Sequence, residues 1–358
     1  MENRFHVVVA PLNWGLGHAT RCIPIIQELM KRHCKVTLAS DGEAMHLLRQ
    51  EFPTLGFIEL PSYNPKYSST RWTFLRVLIQ LPKFLRTIWK EKALIKKLSS
   101  AQHVDLIISD NRYGCRSSKV KSVLITHQLT FQVPTYLAWA KGLINFFNRR
   151  LIRMFSQCWV PDESGVESLS GDLSMSTGVR PIYIGPVSRF VFNNGIDYDF
   201  DFLGIVSGPE PQRTIFEELL RNEFIKSGKR CVLVKGRPDE TKKVRRTKID
   251  EFSHLGSKEL NELILRSEKV VSRSGYSTIM DLHRLGKKAI FIPTPGQTEQ
   301  EYLAKRFHEK GIAFAMSQNE FDLEIAMKAS SEYSGFISSQ NNLLTNELDR
   351  IIPKNGNK

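Results

Sequence analysis

Residues able to do chemistry are concentrated in two stretches of the chain. From Pro11 to Thr20 it reads PLNWGLGHAT, a Gly-rich loop with Gly15 and Gly17 opening a helix expected over about Ala19 to His33. His18 stands where an imidazole could take a proton from a hydroxyl near neutral pH. From Lys269 to Tyr302 it reads KVVSRSGYSTIMDLHRLGKKAIFIPTPGQTEQEY, the pattern of strand, Gly turn, helix, strand and polar loop opening another helix. The small residues of Ser272-Arg273-Ser274-Gly275 let backbone N–H groups at a helix N-terminus approach an anion such as phosphate. The next apolar run stops at Pro293-Thr294-Pro295-Gly296. Both loops therefore follow the carboxyl ends of adjacent parallel strands, where open α/β sheets bind ligands. Ordinary βα connections would show the same spacing, and a histidine at a helix start also fits a structural role. GxG before a helix serves dinucleotide folds too, but the third glycine of GxGxxG is missing here, although Asp41 follows the second strand.

The elements that must hold these loops read as two α/β series. Strands are expected at Phe5 to Ala10, Lys35 to Ala39, Gly56 to Leu60, Asp105 to Ser109, Ser122 to Thr126 and Gln157 to Val160, alternating with helical patterns. Ile182 to Val187 reads as one more strand, and the irregular stretch from Phe192 to Gly195 as a linker. A second series then follows: strand Phe202 to Val206, helix Gln212 to Lys226, strand Arg230 to Lys235 and helix Ser257 to Ser267. The expected fold class is α/β, with two Rossmann-like doubly wound domains facing a central cleft. Domains are expected at residues 1–195 and 196–340, with 341–358 as a tail packed back or frayed. At 358 residues the chain exceeds what single cores usually support, about 250 to 300 residues.

With 51 Lys and Arg against 37 Asp and Glu, the formal charge of +14 calls for an anionic partner: a nucleotide, a nucleic acid or an acidic membrane surface. No recognised nucleic-acid motif accompanies the charge. The five cysteines are scattered and lack metal-ligand spacing, which fits reduced thiols in the cytoplasm and neither disulfide nor zinc. No run supplies the roughly 18 uninterrupted apolar residues of a membrane span. Trp72 to Leu98 nevertheless reads as a long amphipathic helix kinked at Pro82. Arg76, Lys83, Lys90 and Lys97 form one stripe, and Phe74, Leu78, Leu81, Leu85, Ile88 and Trp89 lie on another face. A second such segment runs from Tyr136 to Phe155, with Trp139, Phe146, Phe147 and Leu151 beside Lys141, Arg149, Arg150 and Arg153. These suit peripheral attachment to the inner face of the cytoplasmic membrane, or a lipid-linked acceptor. Equally, the apolar faces could pack in the core and the basic faces be solvated.

Five segments in chain order resemble the two-domain GT-B glycosyltransferases: NWGLGHATR, THQLT at Thr126 to Thr130, YIGPVSR at Tyr183 to Arg189, VSGPEPQR at Val206 to Arg213, and SRSGYSTIMDL with PTPGQTEQEYLA. The nearest likeness is to glycosyltransferase family 28, the branch of the bacterial lipid-linked N-acetylglucosaminyltransferase and the galactolipid synthases. This resemblance implies transfer of a hexose or N-acetylhexosamine from a nucleotide-sugar, UDP-linked by preference, to a hydroxyl of a glycan or lipid-linked acceptor. It implies no cofactor and no essential metal. In the family, the loop matching Ser272 to Gly275 holds the nucleotide, the acidic residue matching Asp281 binds ribose, and the positions of Gln300 and Glu301 contact the hexose. Alternatively, Thr298 would cap that helix and Glu301 complete a capping box. Ser207 and Gly208 match a diphosphate-side loop, in which Pro209 and Pro211 remove backbone donors. Arg213, Arg237 or Arg273 could compensate, Arg273 first by its position inside the turn. His18 matches the family's loop histidine, for a base or orienting role, with Trp14 and His127 on the acceptor side. Two other readings stay open. Sugar-nucleotide hydrolases of nonulosonic-acid synthesis carry a similar GxGHxxRC segment, here Gly15 to Cys22, and a non-catalytic nucleotide-sugar-binding protein would share the donor loops.

Overall fold

The computed structural model describes residues 4–65, 76, 78–175, 178–237, 243–245, 249–339 and 341–353. Two compact units emerge. One is built on the chain up to Pro65, Leu78–Ser188 and the segment from Asn341, the other on Arg189–Gln340.

The sheet of the first unit comprises β1 (His6–Pro11), β2 (Lys35–Ser40), β3 (Gly56–Glu59), β4 (Leu106–Asp110), β5 (Lys121–Ile125), β6 (Gln157–Val160) and β7 (Pro181–Tyr183). Its order is β3-β2-β1-β4-β5-β6-β7 and every pairing is parallel. Central strands β1 and β4 are buried along their whole length, as helices covering both faces require. Strand order reverses between β1 and β4, so the loops leaving these two strands flank the place where such sheets take ligands.

Helix α1 (Leu16–Lys31) follows β1. Ala19, Cys22, Ile23, Ile26 and Leu29 recur at helical spacing and are buried against Val7 and Val9 of β1. Each fully buried Ile or Leu contributes about 1.5–3 kcal/mol relative to exposure, so one charge at Ile26 would detach the helix. Gly15 is its N-cap at φ 95, a left-handed conformation that L side chains resist. The helix starts earlier than the sequence pattern indicated, and Gly17 and His18 lie inside its first turn. Helices α2 (Gly42–Glu51), α3 (Leu81–Ala101) and α4 (Lys141–Ile152) belong to the same unit. Residues 76, 78 and 79 are helical, so the chain is helical on both sides of a break at Gln80. Gln80 is a turn residue and Pro82 sits in the first turn of α3, where its missing N–H costs nothing. Residues 72–75 and 77 of the expected amphipathic helix lie outside the described residues.

In the second unit β8 (Phe200–Ile205), α5 (Gln212–Ser227), β9 (Cys231–Val234), β10 (Lys243–Arg245), β11 (Ile249–Phe252), α6 (Ser257–Leu265), β12 (Ser267–Ser272), α7 (Tyr276–Arg284), β13 (Lys288–Phe291), α8 (Thr298–Glu309), β14 (Phe314–Ala315) and α9 (Leu323–Ala329) follow in turn. Strand order is β10-β11-β9-β8-β12-β13-β14, parallel except for β10 at the edge. The pair β10–β11 escapes sequence reading because KKVRRTKIDEF contains no apolar run. Strands β12 and β13 are parallel neighbours, so the loops after Ser272 and Phe291 leave the same edge side by side. The C-terminal helix α10 (Leu343–Ile351) returns to the first unit, where Leu348 and the following Ile352 join the core that buries α1.

Candidate active site

In the first unit the centre of the site is Asp110, the last residue of β4 and without accessible side-chain surface. A carboxylate carried into that position by a buried strand must be paired. His18 Nδ1 lies 2.7 Å from its Oδ1. Arg21, one turn further along α1, donates to both oxygens through Nε and Nη2. Burial alone would raise the Asp110 pKa, but Arg21 and His18 outweigh it and hold the carboxyl at about 2. For His18, burial lowers the pKa below 6.5, Asp110 opposes this, and Arg21 reinforces it. The imidazole is therefore neutral at pH 7. Asp110 can only accept and Arg21 Nη2, 2.9 Å from the same Nδ1, can only donate. Arg21 Nη2 already donates to Asp110, so the shorter contact to the carboxylate puts the His18 proton on Nδ1 and leaves Nε2 its lone pair. With 17 % of its side chain exposed, His18 has the arrangement of an oriented general base. His127, buried in the loop after β5, has Nδ1 3.4 Å from Arg21 Nη1. It thus belongs to the same cluster.

The Gly-rich loop is fixed from its other end by Arg112. Its buried guanidinium binds Asp41, Glu91 at 2.7 Å and the Pro11 carbonyl at 2.9 Å. Asp41 Oδ2 in turn accepts from Asn13 Nδ2 at 3.2 Å, and Asn13 Oδ1 accepts from the Ala44 N–H. Trp14 packs on Phe84 with ring centroids 5.4 Å apart. Asp110 and Arg112 are separated by Asn111, whose φ of 54 is left-handed, a conformation that Asn tolerates better than most residues. One short segment thus holds both ends of the loop.

In the second unit, Gly275 is the N-cap of α7. That helix has no acidic residue in its first turn, so its N-terminal dipole favours an anion. Asp281 lies on α7, half-buried. Ser207 and Gly208 follow β8 in a half-buried loop, Gly208 at φ 106. Glu210 caps the start of α5 by accepting from the Thr214 N–H and hydroxyl, and pairs with Arg213 at 2.9 Å. That carboxylate occupies the start of α5, beyond the Ser207–Gly208 loop.

Three expectations for this unit need correction. Arg273 is fully buried. Its nitrogens donate to the carbonyls of Ile292, Pro293 and Gln212 and to Gln318, and its guanidinium lies over Phe216, 4.0 Å from the ring centroid. Burial lowers its pKa to about 9. It braces the loops from within and presents no charge to a phosphate. Ser274 is also buried and donates to the Gln300 carbonyl at 2.7 Å, while Gln300 Oε1 accepts from the Thr294 N–H at 2.8 Å. Gln300 thus joins the two loops through its Oε1 and its carbonyl, and of the pair expected at a hexose it is buried while Glu301 is exposed. Thr298 is the first residue of α8 and not its cap; Gln297 holds that position, and Glu301 reaches back to the Gly296 N–H at 2.8 Å.

Sequence reading missed Asp110, Arg21 and Arg112 as partners. The segment Asp110-Asn111-Arg112 holds a single carboxylate and so supplies no metal-binding pair. The available signal was an acid flush against the apolar run LIIS in the strand expected beside β1. Among the described residues no group of three or more His, Cys, Asp and Glu is placed to hold a metal ion, and the five cysteines are free and buried.

Solved structures similar to this chain are glycosyltransferases. The glycosyltransferase of kitacinnamycin has TM-score 0.63 at 14 % identity, covering 98 % of this chain and 94 % of that one. Phytolacca americana UGT2, complexed with UDP-2fluoro-glucose and pterostilbene, has TM-score 0.61 at 15 % identity, covering 98 % and 99 %. Spinosyn rhamnosyltransferase SpnG, complexed with thymidine diphosphate, has TM-score 0.57 at 13 % identity, covering 97 % and 95 %. The chain therefore has the GT-B fold, two parallel-sheet α/β units of Rossmann type. More particularly, residues 221–333 match the Glycosyltransferase family 28 C-terminal domain, so the likeness read from the sequence holds for the fold and for the second unit. No curated protein matches the chain in sequence.

Proposed function

We propose that the protein is a glycosyltransferase that moves a hexose or N-acetylhexosamine from a nucleotide-sugar, UDP-linked by preference, to a hydroxyl of a glycan or lipid-linked acceptor. The observation that carries this reading is the neutral His18 held through Nδ1 by Asp110, with Nε2 left to act as base. His18 Nε2 takes the acceptor hydroxyl proton and the oxygen attacks the anomeric carbon. The bond from that carbon to the diphosphate breaks, and the nucleoside diphosphate leaves with the electron pair. The second unit serves the donor: the α7 N-terminus from Gly275 meets the diphosphate, with Ser207 and Gly208 beside β8, Asp281 takes the ribose and Glu301 the sugar. Charge on the diphosphate is met by the helix N-terminus, and, as the resemblance implies, no metal is essential. Gly15, Gly17, Trp14 and His127 lie on the acceptor side.

The acceptor reading gains support from α4, which is turned inside out. Asn145 and Asn148 face inward, where they bond Phe131, Gln128, Leu129 and Tyr113. Leu143, Phe146 and Phe147 face outward, preceded by Trp139 at 81 % exposure. On α3, Leu81, Leu85 and Trp89 form a second exposed stripe among Lys83, Arg86, Lys90, Lys92, Lys96 and Lys97. Among the described residues no helix is long and apolar enough to cross a membrane. Exposed aromatic residues flanked by cations suit the surface of an anionic bilayer carrying a lipid-linked acceptor. Peripheral attachment at the cytoplasmic face follows from this reading.

The test is incubation with UDP-sugars, with and without lipid-linked or glycan hydroxyl acceptors. Acceptor-dependent release of UDP supports transfer. Rapid stoichiometric hydrolysis without acceptor would replace it by the hydrolase that GLGHATRC also fits, and binding without turnover by a nucleotide-sugar-binding role.

A further inference from the structure

Arg21 is the largest charge beside His18 that the mechanism has not used. His18 and Arg21 are three residues apart at the start of α1, a spacing that puts both on one helix face. Asp110 Oδ1 meets His18 Nδ1 and Arg21 Nη2, while its Oδ2 meets Arg21 Nε and, at 3.7 Å, Cys22 Sγ. Arg21 Nη2 also stands 2.9 Å from His18 Nδ1. Arg21 and Asp110 have 2 % and 0 % of their side chains exposed, so their charges are little screened by solvent.

We infer that Arg21 is a positioning residue that takes up the Asp110 carboxylate and thereby keeps His18 as a neutral Nδ1–H imidazole with Nε2 open for the acceptor proton. This rests on the reading of His18 as the base. A carboxylate alone beside an imidazole stabilises the imidazolium, and the histidine would then be protonated and unable to accept. Arg21 and Asp110 together sum to zero charge, so a second proton on His18 would leave the buried cluster with a net positive charge. Among the described residues, the other groups facing His18 do not offset this. Cys22 on α1 is a thiol whose pKa burial pushes well above its ordinary value, so it stays uncharged. His127, from the loop after β5, opposes a charge on His18. An arginine suits the position because its fork spans both carboxylate oxygens at once and never loses its proton.

The experiment is a 15N NMR titration of His18 in the full-length protein, which needs no turnover. For the wild type we expect the Nδ1–H tautomer and a midpoint below 6.5, the ordinary histidine value. In Arg21→Gln the midpoint should rise by about one unit or more, and Arg21→Lys, which keeps the cation, should restore most of the wild-type value. The acid limb of kcat/KM should move with the midpoint while the KM for donor stays put. A wild-type midpoint at or above 6.5, a wild-type Nε2–H tautomer, or an unchanged midpoint in folded Arg21→Gln would each overturn the inference. If Arg21→Gln does not fold, the wild-type tautomer and midpoint decide. Absence of transfer activity would overturn the function proposed above and leave the titration result standing.

Discussion

Nδ1 of His18 and Oδ1 of Asp110 lie 2.7 Å apart although 92 residues separate them in the chain. Their meeting follows from strand order: β1, which leads into the His18 loop, and β4, which ends on Asp110, are parallel neighbours with Pro11 opposite Asp110. The dyad is therefore built by the sheet and not by either loop.

Asp110→Asn should act on both activity and stability. The amide no longer balances Arg21, and a buried charge stripped of its partner typically costs about 3–5 kcal/mol. Loss of an oriented base lowers the rate by roughly 10²–10⁴-fold. Urea denaturation and kcat/KM, measured on the same preparation, check the two effects.

His18→Ala should lower kcat by roughly 10²–10⁴-fold and leave calorimetric affinity for UDP unchanged, because the donor residues belong to the second unit. An affinity loss as large as the rate loss would instead assign His18 to the donor phosphates.

The His18 pKa is lowered in the folded protein, so its neutral form supports folding above pH 6.5 and that support is lost as pH falls through the lowered value. Asp110, held at about 2 against an ordinary 3.8, contributes above pH 3.8 and loses its contribution as pH falls towards 2. Activity should persist into mildly acidic solution, with the acid limb of kcat/KM below 6.5. A His18→Gln variant should flatten the stability change just below pH 6.5 and leave the loss below pH 4 in place, read from urea midpoints against pH.

Arg273→Ala should destabilise the protein and spare nucleotide binding. Removing the guanidinium leaves the carbonyls of Ile292, Pro293 and Gln212 without their donor and opens a gap over Phe216, at a cost of about 2–5 kcal/mol. UDP affinity measured well below the unfolding temperature should stay within about twofold, a difference of roughly 0.4 kcal/mol. A tenfold loss of affinity in the folded variant would restore the phosphate role that burial argues against.

Co-sedimentation with vesicles tests the exposed aromatic face. The wild type should bind vesicles containing anionic phospholipid, with weaker binding at high salt, and leave purely zwitterionic vesicles in the supernatant. Replacing Trp139, Phe146 and Phe147 by Ser should abolish binding without a change in unfolding temperature, because these side chains are exposed.

The sequence by itself determined the two βα series, the glycines that open α1 and α7, and the loops at the ends of β12 and β13, because apolar periodicity and small residues at turns act within a few residues. It also placed His18 at a helix start. Only the tertiary structure decided what each polar side chain faces. Arg273 sits inside a turn in the sequence, yet the turn points it inward across Phe216. Nothing local in Asp110-Asn111-Arg112 points to its partners, yet β4 carries Asp110 to His18 and a left-handed Asn111 separates it from Arg112, which reaches Asp41. The helical pattern of α4 is plain in the sequence, but that its asparagines and not its phenylalanines face inward depends on the loop it covers, which offers backbone groups needing partners. Periodicity reports which residues share a face; what covers that face is fixed by contacts between distant segments, and those exist only once the sheet has formed.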